Sequence, residues 1–342
     1  MASMAELAVD PRTHGMLGAV GKGALPASIS MRTSGDGVRI ASVNIHMAIP
    51  AGQGFDLSNE TLAALRDVAR FINGANPDVV LIQELRNRPV AAALQQGGLG
   101  DTASLLGRFI DADDMAYTPA ITQDPFTTPH EFYGTAIYTR NGFTIEHAVN
   151  ARLPNSGPEV ERRSVGVASV LAPDARGRMT VLGTHLANEP FTDQALRDAQ
   201  LGAIGTMVDG IRASGGFSYV DAITGEQLVA RGFSGERIFL AGDFNQVQAL
   251  TDPILSGHGL VNVNSALASS GAAGEARAKL ADVGTAAVDV SKVPGAKPGD
   301  LHRIDLAYES GMDVTDVGLG AVQRHEFPGD ATDHLALVVD LA

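Results

Sequence analysis

The 342-residue sequence has no cysteine and no tryptophan, and aromatic residues make up only 5% of it. Without cysteine there can be no disulfides, no thiolate metal sites and no cysteine nucleophile. Scarce aromatics weaken the case for a module that binds bases by stacking. No uninterrupted apolar run approaches the roughly 18 residues of a membrane span. The start, MASMAELAVDPRTHGMLG, lacks a basic stretch followed by an apolar one, so no secretory signal is expected there. MASM would suit a leader that had been replaced, and secreted and cytoplasmic locations both stay open. Positive charge is also short: 25 Lys+Arg stand against 39 Asp+Glu, a net of −14 at pH 7. That balance argues against nucleic-acid binding by the whole surface. It does not argue against an enzyme that meets phosphate through a bound cation. What the chain does have is apolar material, 44% of residues, which excludes wholesale disorder.

Residues 1–36 are rich in Gly, Ala and Ser and have little periodicity, so a mobile arm is expected there. From residue 37 to 342 a single domain is expected. Its strand candidates are VRIASVNI, DVVLIQE, GTAIYT, SVGVASVL, MTVLGTH, RIFLAGDF, RIDLAY and HLALVVDL. Helical spacing of Leu62, Leu65, Ala69 and Ile72 predicts a helix over 59–72, capped by Ser58 and stopped at Asn73-Gly74. A second helix is predicted over 193–211, with Leu196, Ala203, Met207 and Ile211 as its buried stripe. The segment FSYVDAITGEQLVARGF reads as a β-hairpin turning at Thr-Gly. Residues 87–131, after a short helix-like piece, and 262–300 read as irregular excursions. Many strands and few helices predict a two-sheet sandwich with helices packed outside it.

Polar residues gather at the ends of the apolar strands. Asn44 and His46 close the first, Glu84 the second, and His185 the strand VLGTH. Asp243 and Asn245 follow RIFLAG, Asp305 lies in RIDLAY, and Asp333 and His334 open the last strand. One such residue would ordinarily be a turn former. So many, if their strand ends converge, would make a basin of carboxylates, amides and imidazoles suited to a hard divalent cation and a phosphate.

In order along the chain, NIH after the first strand, DVVLIQE, GTHL, GDFN, RID and TDH resemble the motifs of the endonuclease/exonuclease/phosphatase superfamily, the DNase I-like fold. The resemblance spans about residue 38 to 342, with Thr332 standing where Ser is commoner. It implies an α/β (α+β) fold, a DNase I-like two-sheet β-sandwich flanked by helices, with 37–342 as the catalytic domain. It also implies a divalent-metal-dependent phosphoesterase that uses in-line attack of an activated water. Glu84 would be the principal ligand of Mg²⁺ or Mn²⁺. Asn44 would be a neutral oxygen donor touching metal or phosphate, and Asp333 would reach the metal shell. Asp243 would orient or deprotonate the water, and Asn245 would hold a phosphate oxygen. Asp305 and His334 would form an acid–base pair, and His185 would stabilise charge on the phosphoryl group. Arg163, favoured over Arg162, and Asn188 would contact phosphate. Arg197 and Gln200 would support the structure. The plainer readings are a turn-capping Asn44 and an Asx-turn at Asp-Phe-Asn. His14, His130, His147, His258 and His325 read as surface or packing residues.

For the substrate, the segment DVVLIQELRNRPVAA resembles that of DNase I, and Arg86 and Arg88 lean toward a nuclease. The Trp-Cys-Asp-Arg run of inositol polyphosphate 5-phosphatases cannot exist here. A sphingomyelinase-like phosphodiesterase stays open, because the hairpin offers Phe217, Tyr219 and Phe233 for membrane contact. A non-catalytic binding module of the same fold is the alternative of another class. A phosphate-ester substrate is expected, nucleic acid before phospholipid, and a monomeric chain.

Overall fold

The computed structural model describes residues 29, 37–45, 59–87, 101–120, 132–157, 161–174, 177–187, 194–271, 273–275, 278, 286–287, 301–302, 304–323 and 330–342. The elements run β1 (Val38–Asn44), α1 (Asn59–Ala75), β2 (Val79–Asn87), α2 (Thr102–Phe109), β3 (Asp114–Ala120), β4 (Phe132–Thr139), β5 (Thr144–Arg152), β6 (Ser164–Leu171) and β7 (Arg178–His185). There follow α3 (Gln194–Ser214), β8 (Gly216–Val220), β9 (Gln227–Arg231), β10 (Ile238–Asp243), α4 (Gln248–Gly257), β11 (Val261–Asn262) and α5 (Val263–Ser269). The last are β12 (Ala286–Ala287), β13 (Leu301–His302), β14 (Asp305–Ser310), β15 (Val314–Gln323) and β16 (Asp330–Leu341).

Two mixed sheets face each other. One is 8-stranded, ordered β13-β12-β16-β1-β2-β4-β3 with β15 beside β16; the other is 6-stranded, ordered β11-β14-β10-β7-β6-β5. The period-2 alternation of each central strand divides its apolar residues between two cores. Val38, Ile40, Val79, Leu81 and Ile137 meet Val170, Val181, Phe239, Ala241 and Ala307 in the interior between the sheets. The alternate residues Ala41, Val43, Val80, Ile82 and Tyr138 pack on α1 and α2 through Leu65, Val68, Ile72, Leu106 and Phe109. On the outer face of the second sheet, Val165, Leu182, Leu240 and Leu306 pack on Leu201, Ile204, Val208 and Ile211 of α3. Strands buried on both faces need continuous apolar runs, which is why these segments are legible in the sequence. The parallel pairs β1–β2 and β7–β10 bring their C-terminal ends to one edge of the sandwich.

Several expectations need correction. Helix α1 runs through Asn73-Gly74 and stops at Asn76, whose φ of 49° places it in the left-handed region just before Pro77. The second helix extends to Ser214 and stops at Gly215, φ 67°. The excursion over 87–131 contains α2 and β3, and that over 262–300 contains α5. Strands β5 and β15 are additional: β5 is an edge strand with alternating exposure, and β15 carries glycines. Of the expected arm over 1–36 only Ile29 is described, and it is buried in the core against α1. Ser58, His46, His14, His130 and His325 lie outside the described residues.

The hairpin forms with Thr224-Gly225 inside its turn over Asp221–Glu226, but its aromatics do not face solvent. Phe217, Tyr219 and Phe233 are 6%, 9% and 5% exposed and belong to the α3 core. Phe217 and Phe233 stack at 5.5 Å. Period 2 turns Phe217 and Tyr219 to one face, and that face lies on the protein. Phe217→Ala is therefore expected to lower unfolding free energy by roughly 3–5 kcal/mol in urea melts. A loss below about 1 kcal/mol, the usual range of surface substitutions or less, would return this ring to the surface.

Candidate active site

The polar residues at one edge are the last members of the apolar stripes lining the interior between the sheets. Asn44 continues Ile40 on β1, His185 continues Val181 on β7, and Asp243 continues Phe239 and Ala241 on β10. Asp305 precedes Ala307 on β14 and pairs directly with Asp243, because β14 runs antiparallel to β10. At this edge each strand exchanges an aliphatic side chain for an amide, imidazole or carboxylate.

Glu84 breaks the alternation. Strict period 2 would place it on the helix-facing side with Ile82. Instead Ile82 pairs with Ala136 and Leu85 with Gly134, so Gln83 and Glu84 together oppose a single residue of β4. Glu84 takes φ 56°, a left-handed conformation rare for a side chain with a Cβ. The bulge keeps Ile82 and Leu85 both in the helix-side core and turns the carboxylate to the seam. Strained backbone of this kind, costing about 1–3 kcal/mol, collects at functional sites. Gly242 is also required by geometry: a Cβ there would lie 1.9 Å from the Thr184 carbonyl oxygen.

The cluster centres on Asp243, which is 1% exposed. Asn44 Nδ2 donates to Asp243 Oδ2 at 2.9 Å and to Glu84 Oε1 at 3.1 Å. His185 Nε2 lies 3.7 Å and His334 Nε2 3.8 Å from the same Asp243 oxygen. The other oxygen, Oδ1, accepts from the Asn245 backbone N–H at 2.8 Å. His334 Nδ1 faces Asp305 Oδ2 at 2.8 Å. Burial, then the negative charges of Asp305 and Glu84, push the Asp243 carboxyl up to about 7, against the pull of His334 and the Asn245 N–H. Burial, then the charges of Arg163 and His334, hold His185 well below the usual histidine range.

The structure thus brings Asn44, Glu84, His185, Asp243, Asp305 and His334 together. Arg163, rather than Arg162, is buried beside His185, with Nη1 3.0 Å from Nδ1. Asn245 departs from the extended course expected of it. Its φ is 47°, its backbone closes an Asx-turn on Asp243, and its side chain donates to the Leu186 carbonyl at 3.0 Å. Arg86 is half-buried in β2 opposite Tyr133, and its side chain has no hydrogen bond or ion pair among the described residues. Gln200 ties the Ala187 N–H to the Pro154 carbonyl, a supporting role. Asp333 belongs to β16, with its side chain outside those described, and Arg88 and Asn188 also lie outside the described residues. Sequence reasoning missed Tyr133, whose hydroxyl is 3.5 Å from His185 Nδ1. It sits in a strand of ordinary β composition, and only the β4–β2 register places it here.

Glu84, His185 and Asp243 form one group able to offer ligand atoms within 4.8 Å of each other, and Asp243, Asp305 and His334 form another. Two buried carboxylates on one neutral amide are an arrangement that a hard divalent cation would neutralise. The Endonuclease/Exonuclease/phosphatase family model matches residues 41–258. The chain belongs to this family. Its fold is that of the family's solved members. TDP2 from C. elegans is 20% identical, with TM-score 0.56 over 89% of this chain and 75% of that one. An endonuclease/exonuclease/phosphatase from Beutenbergia cavernae is 21% identical, with TM-score 0.54 over 89% and 71%. D. rerio TDP2 complexed with single strand DNA product is 13% identical, with TM-score 0.58 over 90% and 100%. No curated protein matches the chain by sequence. Members of this family are phosphoester hydrolases, phosphodiesterases and nucleases among them, that generally use divalent metals.

A cation held between these carboxylates stabilises the folded state by mass action. At a hundred times its Kd the gain is about 2.7 kcal/mol. Mg²⁺ or Mn²⁺ added to EDTA-treated protein is therefore expected to raise the melting temperature by several degrees. Glu84→Gln should abolish most of that rise. An equal rise in the variant would remove Glu84 from the metal's ligands.

Proposed function

We propose that the protein is a DNase I-like nuclease that hydrolyses phosphodiester bonds of nucleic acid by in-line attack of water. The observation that carries this reading is the convergence on Asp243 Oδ2 of Asn44, His185 and His334, from β1, β7 and β16. Burial and the neighbouring Asp305 raise the Asp243 carboxyl, the direction that suits a general base near neutral pH. Asp243 orients the water and takes its proton as the oxygen attacks phosphorus. The ester P–O bond breaks on the opposite side, and the leaving oxygen takes a proton from His334. Asp305, acceptor to Nδ1, holds that ring in place and favours its charged form. Glu84 would hold Mg²⁺ or Mn²⁺, which would offset phosphate charge. Asn44 would contact the phosphate, and Asn245 acts through the Asx-turn that holds Asp243.

Two observations favour nucleic acid over lipid. The hairpin aromatics are core residues, which removes the exposed rings a membrane contact would use, although Ile223, Leu228 and Val229 of the hairpin stay exposed. The Arg86 guanidinium, which has no hydrogen bond or ion pair among the described residues, lies two residues beyond Glu84, where a flanking phosphate can be met despite the net charge of −14. A relative of the same fold was solved with a single strand DNA product.

His334→Ala and Asp243→Asn are each expected to lower kcat by about 10²-fold or more, with folding intact by circular dichroism. Asp305→Asn should add little to His334→Ala, because residues acting as a unit are not additive. A double variant that falls by the product of the singles would break the dyad assignment. Arg86→Ala should weaken cleavage of duplex DNA far more than cleavage of bis-p-nitrophenyl phosphate. Equal losses on both substrates would point to a small or lipid substrate.

A further inference from the structure

The two histidines of the site are held by opposite chemistry. His334 Nδ1 faces a carboxylate oxygen of Asp305 at 2.8 Å, an acceptor, so that nitrogen carries hydrogen. Nε2, 3.5 Å from Asn44 Nδ2, is then the nitrogen left to exchange a proton.

His185 is the reverse. Its Nδ1 faces Arg163 Nη1 at 3.0 Å and the Tyr133 hydroxyl at 3.5 Å. A guanidinium has only N–H donors and stays charged. The Tyr133 hydroxyl can donate or accept and so fits whichever form the ring takes. The guanidinium donor at 3.0 Å requires a lone pair on Nδ1. On the other side, Nε2 is surrounded by acceptors: Asp243 Oδ2 at 3.7 Å and Glu84 Oε1 at 3.9 Å. It is buried and has no hydrogen-bond partner among the described residues. Arg163 cannot easily move. It is 4% exposed, a second nitrogen donates to Glu161 at 3.2 Å, and its carbonyl accepts from the Leu153 N–H at 2.9 Å. An imidazolium at His185 would have to point a hydrogen from Nδ1 at the guanidinium.

We propose that Arg163 is a positioning residue: it locks His185 as the neutral tautomer with hydrogen on Nε2, making that ring a fixed donor to a non-bridging phosphoryl oxygen. The phosphoryl target rests on the hydrolytic reading above, whereas the tautomer does not. His185 is then neither a metal ligand nor a proton shuttle. Of the two geometric metal groups, the one containing His185 loses the imidazole as a ligand and keeps Glu84. Arg163 acts through the imidazole rather than by gripping phosphate. A preorganised donor of this kind is typically worth about 10²–10³-fold in kcat.

The test is the long-range ¹H–¹⁵N spectrum of the full chain with ¹⁵N-labelled histidine at neutral pH, in EDTA and then with Mg²⁺. His185→Gln and His334→Gln identify the signals by their loss. The expected pattern is His185 with bare Nδ1 and protonated Nε2 in both conditions, and His334 with protonated Nδ1. Arg163→Met should release the lock, with a mixed or reversed His185 tautomer and kcat lowered on the order of 10²-fold with KM little changed. Arg163→Lys keeps a donor and should restore both the tautomer and part of the turnover. Protonated Nδ1 in the wild type, or loss of the Nε2 hydrogen on adding Mg²⁺, would overturn the proposal. So would an Arg163→Met protein with an unchanged tautomer and only a raised KM, the signature of a phosphate grip. If Arg163→Met does not fold, the wild-type spectra decide alone. The expected tautomer in a protein with no phosphodiesterase turnover would uphold the lock and overturn the hydrolytic reading instead.

Discussion

Three carboxylates are buried where the two sheets meet, with Glu84 and Asp305 each within 4.8 Å of Asp243. Burying charge is costly unless it is paired, and like charges side by side compound the cost. The surroundings of the site answer this constraint. Asn44 places one amide between Glu84 and Asp243, the Asn245 N–H covers the other Asp243 oxygen, and His334 lies on Asp305. What remains unbalanced appears as the raised Asp243 carboxyl, and it is also what would make a divalent cation welcome. The cores on both faces of the sheets supply the stability that such a cluster draws on.

Two backbone devices deliver these groups. The bulge at Gln83–Glu84 inserts one residue so that Glu84 reaches the seam while its apolar neighbours stay in register. Gly242 lets β10 approach the Thr184 carbonyl more closely than any side chain would allow, which sets the spacing between Asp243 and His185. Both are local departures from ideal geometry placed directly beside catalytic candidates, where such departures have a purpose.

The hairpin β8–β9 extends the helical layer rather than the surface chemistry. Its rings cover the end of α3, and His147 of the edge strand β5 stacks on Phe233 at 4.6 Å. The ring-bearing face of an element that could have been read as a membrane contact is thus part of the core, while Ile223, Leu228 and Val229 remain on its outer face.

The sandwich was legible because both faces of its central strands are buried, which demands unbroken runs such as VRIASVN and VVLIQE. The strand-end motifs were legible because chemistry-bearing residues interrupt those runs at their ends. Strands β5 and β15 were not, since an edge strand is half-polar and a glycine-bearing one lacks side chains to signal it. Nor was the stop of α1, where Asn76 before Pro77 outweighs Gly74 inside the helix. By itself the sequence determined which residues could form a carboxylate, amide and imidazole site, since residue type and strand position are local properties. Only the tertiary structure decided the side Glu84 faces, the burial of the hairpin rings, the arrival of Tyr133 and the partner of each histidine nitrogen. Those depend on register and on contacts between segments such as Arg163 and His185, and no local pattern encodes a contact between distant strands.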